Sequence, residues 1–402
     1  MDGRDISMCK DFQNFSKKYQ FSQDVINLFW EKYGERTEKI IQALKQPSKN
    51  YAIRVNTLKV TSEKVIEILQ EMNIQAEIHP ELDEVVLLPV KGPFSVPEYE
   101  KKVVVDKFTA ESLIQGADLF APGVLRASKI RLGDMVTIID KTGECIAAGK
   151  AMMTAREMLQ LKKGLAVKIL YSRYKIFSIR ESQLFKKGYI FDQSFPSILV
   201  SKILDPQPYE FVLDLCAAPG GKATHIAQIM RNKGCIIAID RSKPRIKRIK
   251  EHILRLGIKN LQVFHGDSRN LPEKYHHCAD KILLDPPCSA LGVRPKLQVF
   301  TTKRDIINLV RYQRQFLEAV ANYIKPNGIL VYCTCTLTTE ENEENIKFLV
   351  DNFNCEIIEQ SFFYGYPGEK IENLPNWQKL QRFYPDIHDT PGYFIAKLRF
   401  RS

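Results

Sequence analysis

The sequence predicts an α/β protein whose C-terminal half is a doubly wound, mostly parallel sheet. From about residue 211 onward, short apolar runs alternate with longer segments of helical periodicity. The residues that end these runs are acidic or cysteine, and ligands bind beyond the carboxyl ends of strands in such sheets. Two stretches with different patterns of apolar residues, 1–102 and 103–175, precede this region and indicate two smaller modules.

Residues 1–102 are predicted to form an N-terminal α+β module. The segment SEKVIEILQEM, from Ser62 to Met72, begins with a residue that can cap a helix and repeats apolar positions at helical spacing. The run EVVLLPV is typical of a strand. The segment KGPFSVPEYEKK contains two prolines and a charge run, and we expect it to be a linker.

Residues 103–175 are predicted to form a small β-barrel. The runs KVVVD, MVTIID, CIAAGKAMM and LAVKILY are short and β-rich. Glycine-containing turns such as RLGD and KTGE separate them. Strands of this length and spacing favour a small barrel. Residues 176–402 then form the α/β core, with strands expected at FVLDL, CIIAID, LQVFHGD, KILLDPP and GILVYC.

Composition limits the possible functions of the 402-residue chain. A formal net charge of +12 and an isoelectric point near 9.1 favour a nucleic-acid partner, although solubility alone is the alternative explanation. Nine cysteines without any C-x-x-C pair indicate free thiols in a reducing compartment, and we expect no metal. The segment MDGRDISMCK lacks an apolar signal core and no run could span a membrane, so a cytoplasmic protein is expected. The sequence leaves the oligomeric state open, with a monomer favoured.

The predicted strand ends indicate a nucleoside cofactor. They are Asp214, Asp240, Asp267, Asp285 and Cys335. Each aspartate alone is more often a helix cap or turn former, but four in register favour a binding site. Asp240 is placed to grip a ribose, and Asp267 to face an adenine amino group.

The turn after Asp214 is not a phosphate clamp. It reads CAAPGGK and comprises Cys216, Ala217, Ala218, Pro219, Gly220, Gly221 and Lys222. Cys216 occupies the position of the first glycine in a Walker loop, and the turn is not G-x-G-x-x-G either. Adenosine without a phosphate clamp favours S-adenosylmethionine over NAD or ATP.

Cysteines near the strand ends suit methyl transfer to a pyrimidine carbon. In DPPCS, Cys288 stands where amino-group methyltransferases carry an aromatic residue, which disfavours transfer to an exocyclic nitrogen. A thiolate that adds to C6 of a pyrimidine makes C5 electron-rich. Asp285 can hold the base edge, and Lys222 can supply positive charge near the thiolate. Spacing alone does not choose among Cys288, Cys333 and Cys335, and a single cysteine is more often a small buried hydrophobe.

These segments resemble the Nop/Sun family of RNA cytosine-5 methyltransferases. The matches are DLCAAPGGKATH, AIDRSKPRI, GDSR, DPPCSALG and YCTCT, with IRVNTLK in the N-terminal module and DTPGYFIAKL near the C-terminus. The resemblance implies a Rossmann-like class I S-adenosylmethionine-dependent core. It also implies that Cys335 is the nucleophile, Cys288 assists product release, and Lys222 and Asp285 orient the cytosine. Cofactor binding is implied for the turn 216–222 and for Asp240, Arg245, Asp267 and Asp285.

The chain departs from the family pattern at three positions near the proposed pocket. Ala290 stands where glycine is usual, Pro286 where alanine is common, and Cys333 where serine is common. The additional thiol of Cys333 lies two residues from Cys335. The assignment of the nucleophile to Cys335 therefore depends on the resemblance.

The barrel resembles a PUA domain, an RNA-binding module. Together with GVRPK after Cys288, it is similar to the branch of the family that methylates position seventy-two of the tRNA acceptor stem. That branch uses the PUA module to hold the CCA end.

Basic and aromatic residues are candidate RNA contacts. Arg126, Lys129 and Arg131 are expected to contact phosphates. A second basic cluster is either an RNA contact or a solvated helix face, and comprises Arg241, Lys243, Arg245, Lys247, Arg248 and Lys250. Phe383 and Tyr384 either stack on an unpaired base or belong to the core.

Two other functions compete with RNA cytosine-5 methylation. The first is an RNA-binding assembly factor without turnover, which the intact Lys222, Asp285, Cys288 and Cys335 disfavour. The second is a uracil-C5 methyltransferase, which Asp285 disfavours because N4 of cytosine is a donor. Ribosomal or messenger RNA is the alternative to a tRNA substrate.

Overall fold

The structure is a computed structural model that describes residues 14–401. The predictions made on the first ten residues, including Cys9, lie outside this range. In the part of the chain that is described, no helix is both long and apolar enough to cross a bilayer.

The N-terminal module is a four-stranded antiparallel sheet with helices packed on it. Its elements are α1 (Gln23–Tyr33), α2 (Arg36–Leu44), β1 (Asn50–Val55), α3 (Ser62–Glu71), β2 (Glu77–His79) and β3 (Leu82–Pro89). The strand order is Ile190–Asp192, β1, β3, β2, so a strand from the range predicted for the catalytic core completes this sheet. The predicted helix is α3, but its cap is Thr61 and not the predicted Ser62, because the Thr61 hydroxyl accepts a hydrogen bond from Lys64 N at 3.3 Å.

The middle module is a six-stranded sheet around its own apolar core. Its elements are β4 (Lys102–Val105), α4 (Lys107–Leu113), β5 (Leu119–Phe120), β6 (Val124–Ala127), β7 (Met135–Ile139), β8 (Cys145–Ala151), α5 (Ala155–Leu161) and β9 (Leu165–Ser172). The strand order is β5–β9–β8–β7–β4–β6, and β4–β7 is the parallel pair. Lys91 and Lys175 exchange backbone hydrogen bonds of 3.1 and 2.8 Å, so the chain enters and leaves the module side by side.

The remaining chain supplies the elements of the catalytic core and the last strand of the first module. Its helices are α6 (Gln183–Lys186), α7 (Phe195–Leu204), α8 (Gly221–Ile229), α9 (Lys243–Leu256), α10 (Lys303–Tyr323), α11 (Glu343–Asn352) and α12 (Pro385–His388). Its strands are β10 (Ile190–Asp192), β11 (Phe211–Asp214), β12 (Cys235–Asp240), β13 (Leu261–His265), β14 (Ala279–Leu284), β15 (Ile324–Thr334), β16 (Cys355–Ile357), β17 (Tyr366–Pro367), β18 (Gln381–Phe383) and β19 (Tyr393–Phe400).

The core sheet has the predicted doubly wound arrangement. Its order is β13–β12–β11–β14–β15–β19–β18–β17, with β16 paired to β19. The first five strands are parallel and the others antiparallel. Helices cover both faces, because the strands alternate side chains between two apolar clusters, one around Leu283 and Val331 and the other around Leu284 and Tyr332. All five predicted strands are present, and their carboxyl ends meet at one edge.

Candidate active site

The turn between β11 and α8 forms one wall of the site. The backbone N–H of Ala217 bonds to the carbonyl of Ile239 at 3.0 Å, which ties the turn to the neighbouring strand. Gly220 caps α8 with φ of +101°, and a Cβ there would meet the Ile249 side chain at 3.2 Å. Glycine suits both constraints, and the unpaired N–H groups of the helix N-terminus face the turn.

A cavity of about 200 Å³ lies against this turn. Asp214, Lys222 and Asp285 line it with the whole segment 216–219 and Gly221. Asp214 is buried, and its Oδ2 has no hydrogen-bond partner among the described residues. Burial raises the pKa of this carboxyl to about 7. A buried acceptor without a partner beside free backbone donors fits the amino and carboxylate groups of S-adenosylmethionine.

The next two strand ends carry acidic side chains with different partners. Asp240 accepts hydrogen bonds from Ala218 N at 3.3 Å and Ser242 N at 2.8 Å. It therefore lies against the turn 216–222, which we call the cofactor turn. Asp267 is held by the Arg269 guanidinium at 2.9 and 2.5 Å, and these hydrogen bonds lower its pKa to about 2. Arg269, the last residue of the motif GDSR, was not among the predicted site residues. Arg245 is an exposed residue in the first turn of α9, and within residues 14–401 no hydrogen bond or ion pair joins it to the other residues predicted to bind the cofactor.

Lys222 and Asp285 form the ion pair at the centre of the site. Their Nζ and Oδ2 atoms are 2.5 Å apart, and both side chains are largely shielded from solvent. Burial alone would lower the pKa of the Lys222 ammonium, but the Asp285 carboxylate outweighs it and raises that pKa. Lys222 therefore stays charged, with its ammonium fixed beside the carboxylate.

Cys288 and Cys335 lie in contact beyond this pair. Their sulfur atoms are 3.4 Å apart. The hydrogen bond from the Cys288 thiol lowers the pKa of Cys335, against the opposing effect of burial, and Lys222 also lowers it. The same contact raises the pKa of Cys288 well above its usual range. The sulfur–sulfur contact therefore lets one thiol stabilise the other as a thiolate, and Lys222 favours ionisation of Cys335.

Cys333 is in a different environment, although it is only two residues away. Its side chain is fully buried within the apolar cluster on one face of the sheet, where the Tyr393 hydroxyl contacts its sulfur at 3.6 Å. Burial raises its pKa well above the usual range. A neutral thiol without access to solvent is a poor nucleophile.

A second cavity, of about 490 Å³, opens on Cys335. Asp192, Gln193 and Ser194 line both cavities, so the two adjoin. All three modules contribute to the larger cavity, among them Tyr51, His79, Gln115, Phe195, Arg294, Cys335, His388 and Tyr393. A group bound near the cofactor turn and a base in the larger cavity would therefore meet at the cysteine and the Lys222–Asp285 pair.

Glu341 is a buried residue that the sequence analysis missed. Its Oε1 accepts from Ser289 N and Gln313 Nε2, both at 2.9 Å. Its Oε2 accepts from the hydroxyls of Ser289 at 2.5 Å and Thr338 at 2.9 Å. The carboxylate thus joins the loop after Cys288 to the segment after Cys335. The acidic run TTEENEEN concealed this role, because such runs are usually solvated.

Arg54, from the motif IRVNTLK of the N-terminal module, contacts the first turn of α8, which follows the cofactor turn. It is 1% exposed and forms no ion pair with any described residue. Its guanidinium donates to Gly221 O at 2.6 Å, Thr224 Oγ1 at 3.0 Å and Gln193 Oε1 at 2.7 Å. The N-terminal module therefore holds the first turn of α8, a role that the motif alone did not reveal.

The predicted RNA contacts divide into exposed and buried groups. Arg126, Lys129 and Arg131 are exposed on the middle module. The six basic residues 241, 243, 245, 247, 248 and 250 are also exposed, at and along α9. Of the two alternatives for Phe383 and Tyr384, the core position is confirmed, because these rings are only 1% and 3% exposed.

The comparisons with known proteins agree with this geometry. A family model described as 16S rRNA methyltransferase RsmB/F matches residues 201–399. A ferredoxin-like domain of RsmF/B-like methyltransferases matches residues 25–95, and a PUA domain matches 101–171. The chain is 45% identical over 369 residues to the tRNA (cytosine(72)-C(5))-methyltransferase of Pyrococcus horikoshii, covering 91% of this chain and 93% of that protein. The chain belongs to the RsmB/F methyltransferase family.

Two further relatives of the RsmB/F methyltransferase align over most of its length. Human tRNA (cytosine(72)-C(5))-methyltransferase NSUN6 is 30% identical, covering 98% of this chain and 92% of that protein. The crystal structure of NSun6 from Pyrococcus horikoshii with SFG, an analogue of S-adenosylmethionine, has a TM-score of 0.88 at 43% identity, covering 96% of this chain and 99% of that one.

These findings confirm the resemblance to the Nop/Sun family and the predicted fold class. The chain is an S-adenosylmethionine-dependent RNA cytosine-5 methyltransferase that carries a PUA domain.

Proposed function

We propose that this enzyme methylates C5 of cytosine 72 in the tRNA acceptor stem through a covalent bond between Cys335 and C6 of the base. The contact between Cys335 and Cys288, where the large cavity adjoins the cofactor turn, is the observation that carries the chemistry. Relatives named for cytosine 72 of tRNA support the substrate.

The residues of the site divide the reaction among them. The Cys335 thiolate adds to C6, and the π electrons of the C5–C6 bond shift through C4 to N3, which takes a proton; the Lys222 ammonium can supply that proton through the Asp285 carboxylate that it contacts. When bound, S-adenosylmethionine would supply a methyl group on a sulfonium to C5 of the adduct, and the electrons of the broken S–C bond would stay with S-adenosylhomocysteine as the leaving group. Loss of the C5 proton to a base then expels the Cys335 thiolate, and return of the N3 proton to the Lys222–Asp285 pair leaves neutral 5-methylcytosine. Cys288, in contact with the leaving sulfur, is placed to assist this last step.

Lys222 and Asp285 orient the base in this scheme. Their ion pair fixes one carboxylate oxygen of Asp285 and leaves the other free for the N3–N4 edge of cytosine. Cofactor contacts are assigned to the turn 216–222, Asp240, Arg245, Asp267 and Asp285. We assign residues 1–102 to the N-terminal module, 103–175 to the PUA domain and 176–402 to the catalytic core. The PUA domain is proposed to hold the CCA end, with Arg126, Lys129 and Arg131 on phosphates.

Position mapping tests this function. Purified enzyme is incubated with methyl-labelled S-adenosylmethionine and tRNA transcripts, and 5-methylcytosine is located by bisulfite sequencing. We expect one modified position, cytosine 72, with activity lost when that base is changed to uracil and reduced when the CCA end is removed. Methylation of ribosomal or messenger RNA in preference to tRNA would refute the substrate, and a methyl group on a purine or a ribose oxygen would refute the chemistry.

A further inference from the structure

Two large aromatic side chains are left uncovered where the PUA domain meets the catalytic core. Phe108, on α4, is 76% exposed, and Phe300, just before α10, is 69% exposed. The Lys107 ammonium lies 5.6 Å from the ring centroid of Phe108 and 6.0 Å from that of Phe300. We propose that these three residues, the aromatic site, bind unpaired nucleotides of the tRNA 3′ tail. This inference rests on the proposed function, which supplies the RNA.

The chemistry of the aromatic site matches single-stranded nucleic acid. Proteins bind such strands by stacking bases on aromatic rings and placing cations on the backbone phosphates. Phe108 and Phe300 provide the rings, and Lys107 provides the cation between them. A ring already in contact with a cation can still stack a base on its other face. An apolar protein partner would instead have to desolvate the ammonium, which is costly.

Both rings are carried on rigid backbone. Asp106 caps α4 by accepting from Thr109 N at 3.0 Å. Glu111, one turn further on, accepts from the backbone N–H of Leu297 at 3.1 Å and so joins α4 to the segment that carries Phe300. Leu297 is 1% exposed and packs in the PUA core. The spacing of the two rings is thus maintained by contacts between the domains.

The aromatic site is close to the catalytic cavity. The segment that ends at Phe300 begins at Gly292, whose N–H donates to Cys335 O at 2.9 Å. Its residues Val293 and Arg294 line the cavity, as does Gln115 beyond the other end of α4. From Phe108 to Gln115 a helical path rises by about 10 Å. Stacked nucleotides advance about 3.4 Å each, so Phe108 lies on the order of three nucleotides from a residue that lines the cavity. The unpaired tail of tRNA begins directly after position 72 and falls within this reach.

The test is a fluorescence binding assay without S-adenosylmethionine. Acceptor-stem minihelices carry 2-aminopurine at one unpaired 3′ position at a time, and stacking on a ring quenches its fluorescence. We expect quenching by the wild-type enzyme at one or two tail positions. Phe108→Ala and Phe300→Ala should each weaken binding about tenfold and restore fluorescence at a tail position. Phe108→Trp and Phe300→Trp should retain tight binding, because stacking requires only an aromatic ring.

Tyr209→Ala is the matched control. Tyr209 is 77% exposed and lies 5.6 Å from the Lys233 ammonium, but it precedes β11 at the edge of the sheet opposite the cofactor turn. This variant should bind the minihelices like the wild type. A blunt duplex without the tail should bind the wild type and both alanine variants equally.

Three results would overturn the aromatic site: unchanged affinity in both alanine variants, equal losses on the blunt duplex, or loss of binding in the tryptophan variants. Unchanged RNA binding by folded variants would point to a protein partner for these rings. Because the assay measures binding alone, it separates the two proposals. Quenching that depends on the phenylalanines, without methylation of cytosine 72, would refute the proposed function and leave the aromatic site standing.

Discussion

Glu341 offers the sharpest test of how the two cysteines are held together. Its carboxylate accepts four hydrogen bonds from buried or half-buried groups, two of them from Ser289. Glu341→Gln keeps the shape but removes the charge. Its amide NH₂ can face the two hydroxyls, which can rotate to accept, while its oxygen still accepts from Ser289 N and Gln313 Nε2.

The expected cost follows from this count. Hydrogen bonds to a charged acceptor contribute about 1.5–3 kcal/mol and neutral ones about 1, so losing charge assistance in the network costs about 2 kcal/mol. Glu341→Ala leaves all four donors without their acceptor and costs about 4 kcal/mol or more. Both changes release the loop that holds Cys288 against Cys335, so methylation should slow in the same order.

Hydrogen exchange measures this effect at the right place. The Ser289 amide donates to Glu341, and a local loss of about 2 kcal/mol corresponds to about 30-fold faster exchange of that amide in Glu341→Gln. Glu340→Gln is the matched control, since Glu340 is partly exposed and accepts a hydrogen bond from its neighbour Thr339 rather than from the loop after Cys288. Normal Ser289 protection together with normal turnover in Glu341→Ala would refute the role assigned to this carboxylate.

Three other predictions concern the charged groups of the site. Activity should fall as pH is lowered through the pKa of Cys335, because only the thiolate reacts. Lys222→Met should move this limb of the pH–rate profile to higher pH, because Lys222 lowers that pKa. An unchanged limb would refute the effect of Lys222 on the Cys335 thiolate. Arg54→Met should weaken S-adenosylmethionine binding, measured by calorimetry, about tenfold, because one charged hydrogen bond to Gly221 O contributes about 1.5 kcal/mol. Unchanged affinity would show that Arg54 does not affect cofactor binding. Asp240→Asn should raise the KM for S-adenosylmethionine at nearly constant KM for RNA, and equal changes in both would argue against a cofactor contact.

The fold could be predicted from the sequence because its signals are local. The apolar runs ending at Asp214, Asp240 and Asp285 each contain enough β-branched and leucine residues to specify a buried strand, and glycines mark the turn after the first. The strand pairing of Ile190–Asp192 with β1 was not predictable, since it joins segments separated by the whole middle module. A three-residue strand has too few residues for its apolar pattern to predict which strand it pairs with.

The sequence predicted the site residues at and near the strand ends, but not the buried charged residues that hold them in place. Strand-end positions brought Lys222, Asp285 and Cys335 together, because parallel strands end at a common edge. Glu341 and Arg54 were missed because charged residues are expected at the surface, and only tertiary packing shows that these two are buried. For Phe383 and Tyr384 the sequence left stacking and a core position as alternatives, since an aromatic side chain gives no local sign of whether neighbours cover it, and the structure places both in the core.

Capture of the covalent intermediate tests the central claim most directly. Cys288→Ala is incubated with S-adenosylmethionine and a tRNA acceptor substrate, the denaturant-resistant protein–RNA species is digested, and the modified peptide is sequenced by mass spectrometry. The account predicts a methylated cytidine attached to Cys335, and no such species in the Cys288→Ala/Cys335→Ala double variant. A nucleotide attached to Cys333, or normal turnover by Cys335→Ala, would contradict it.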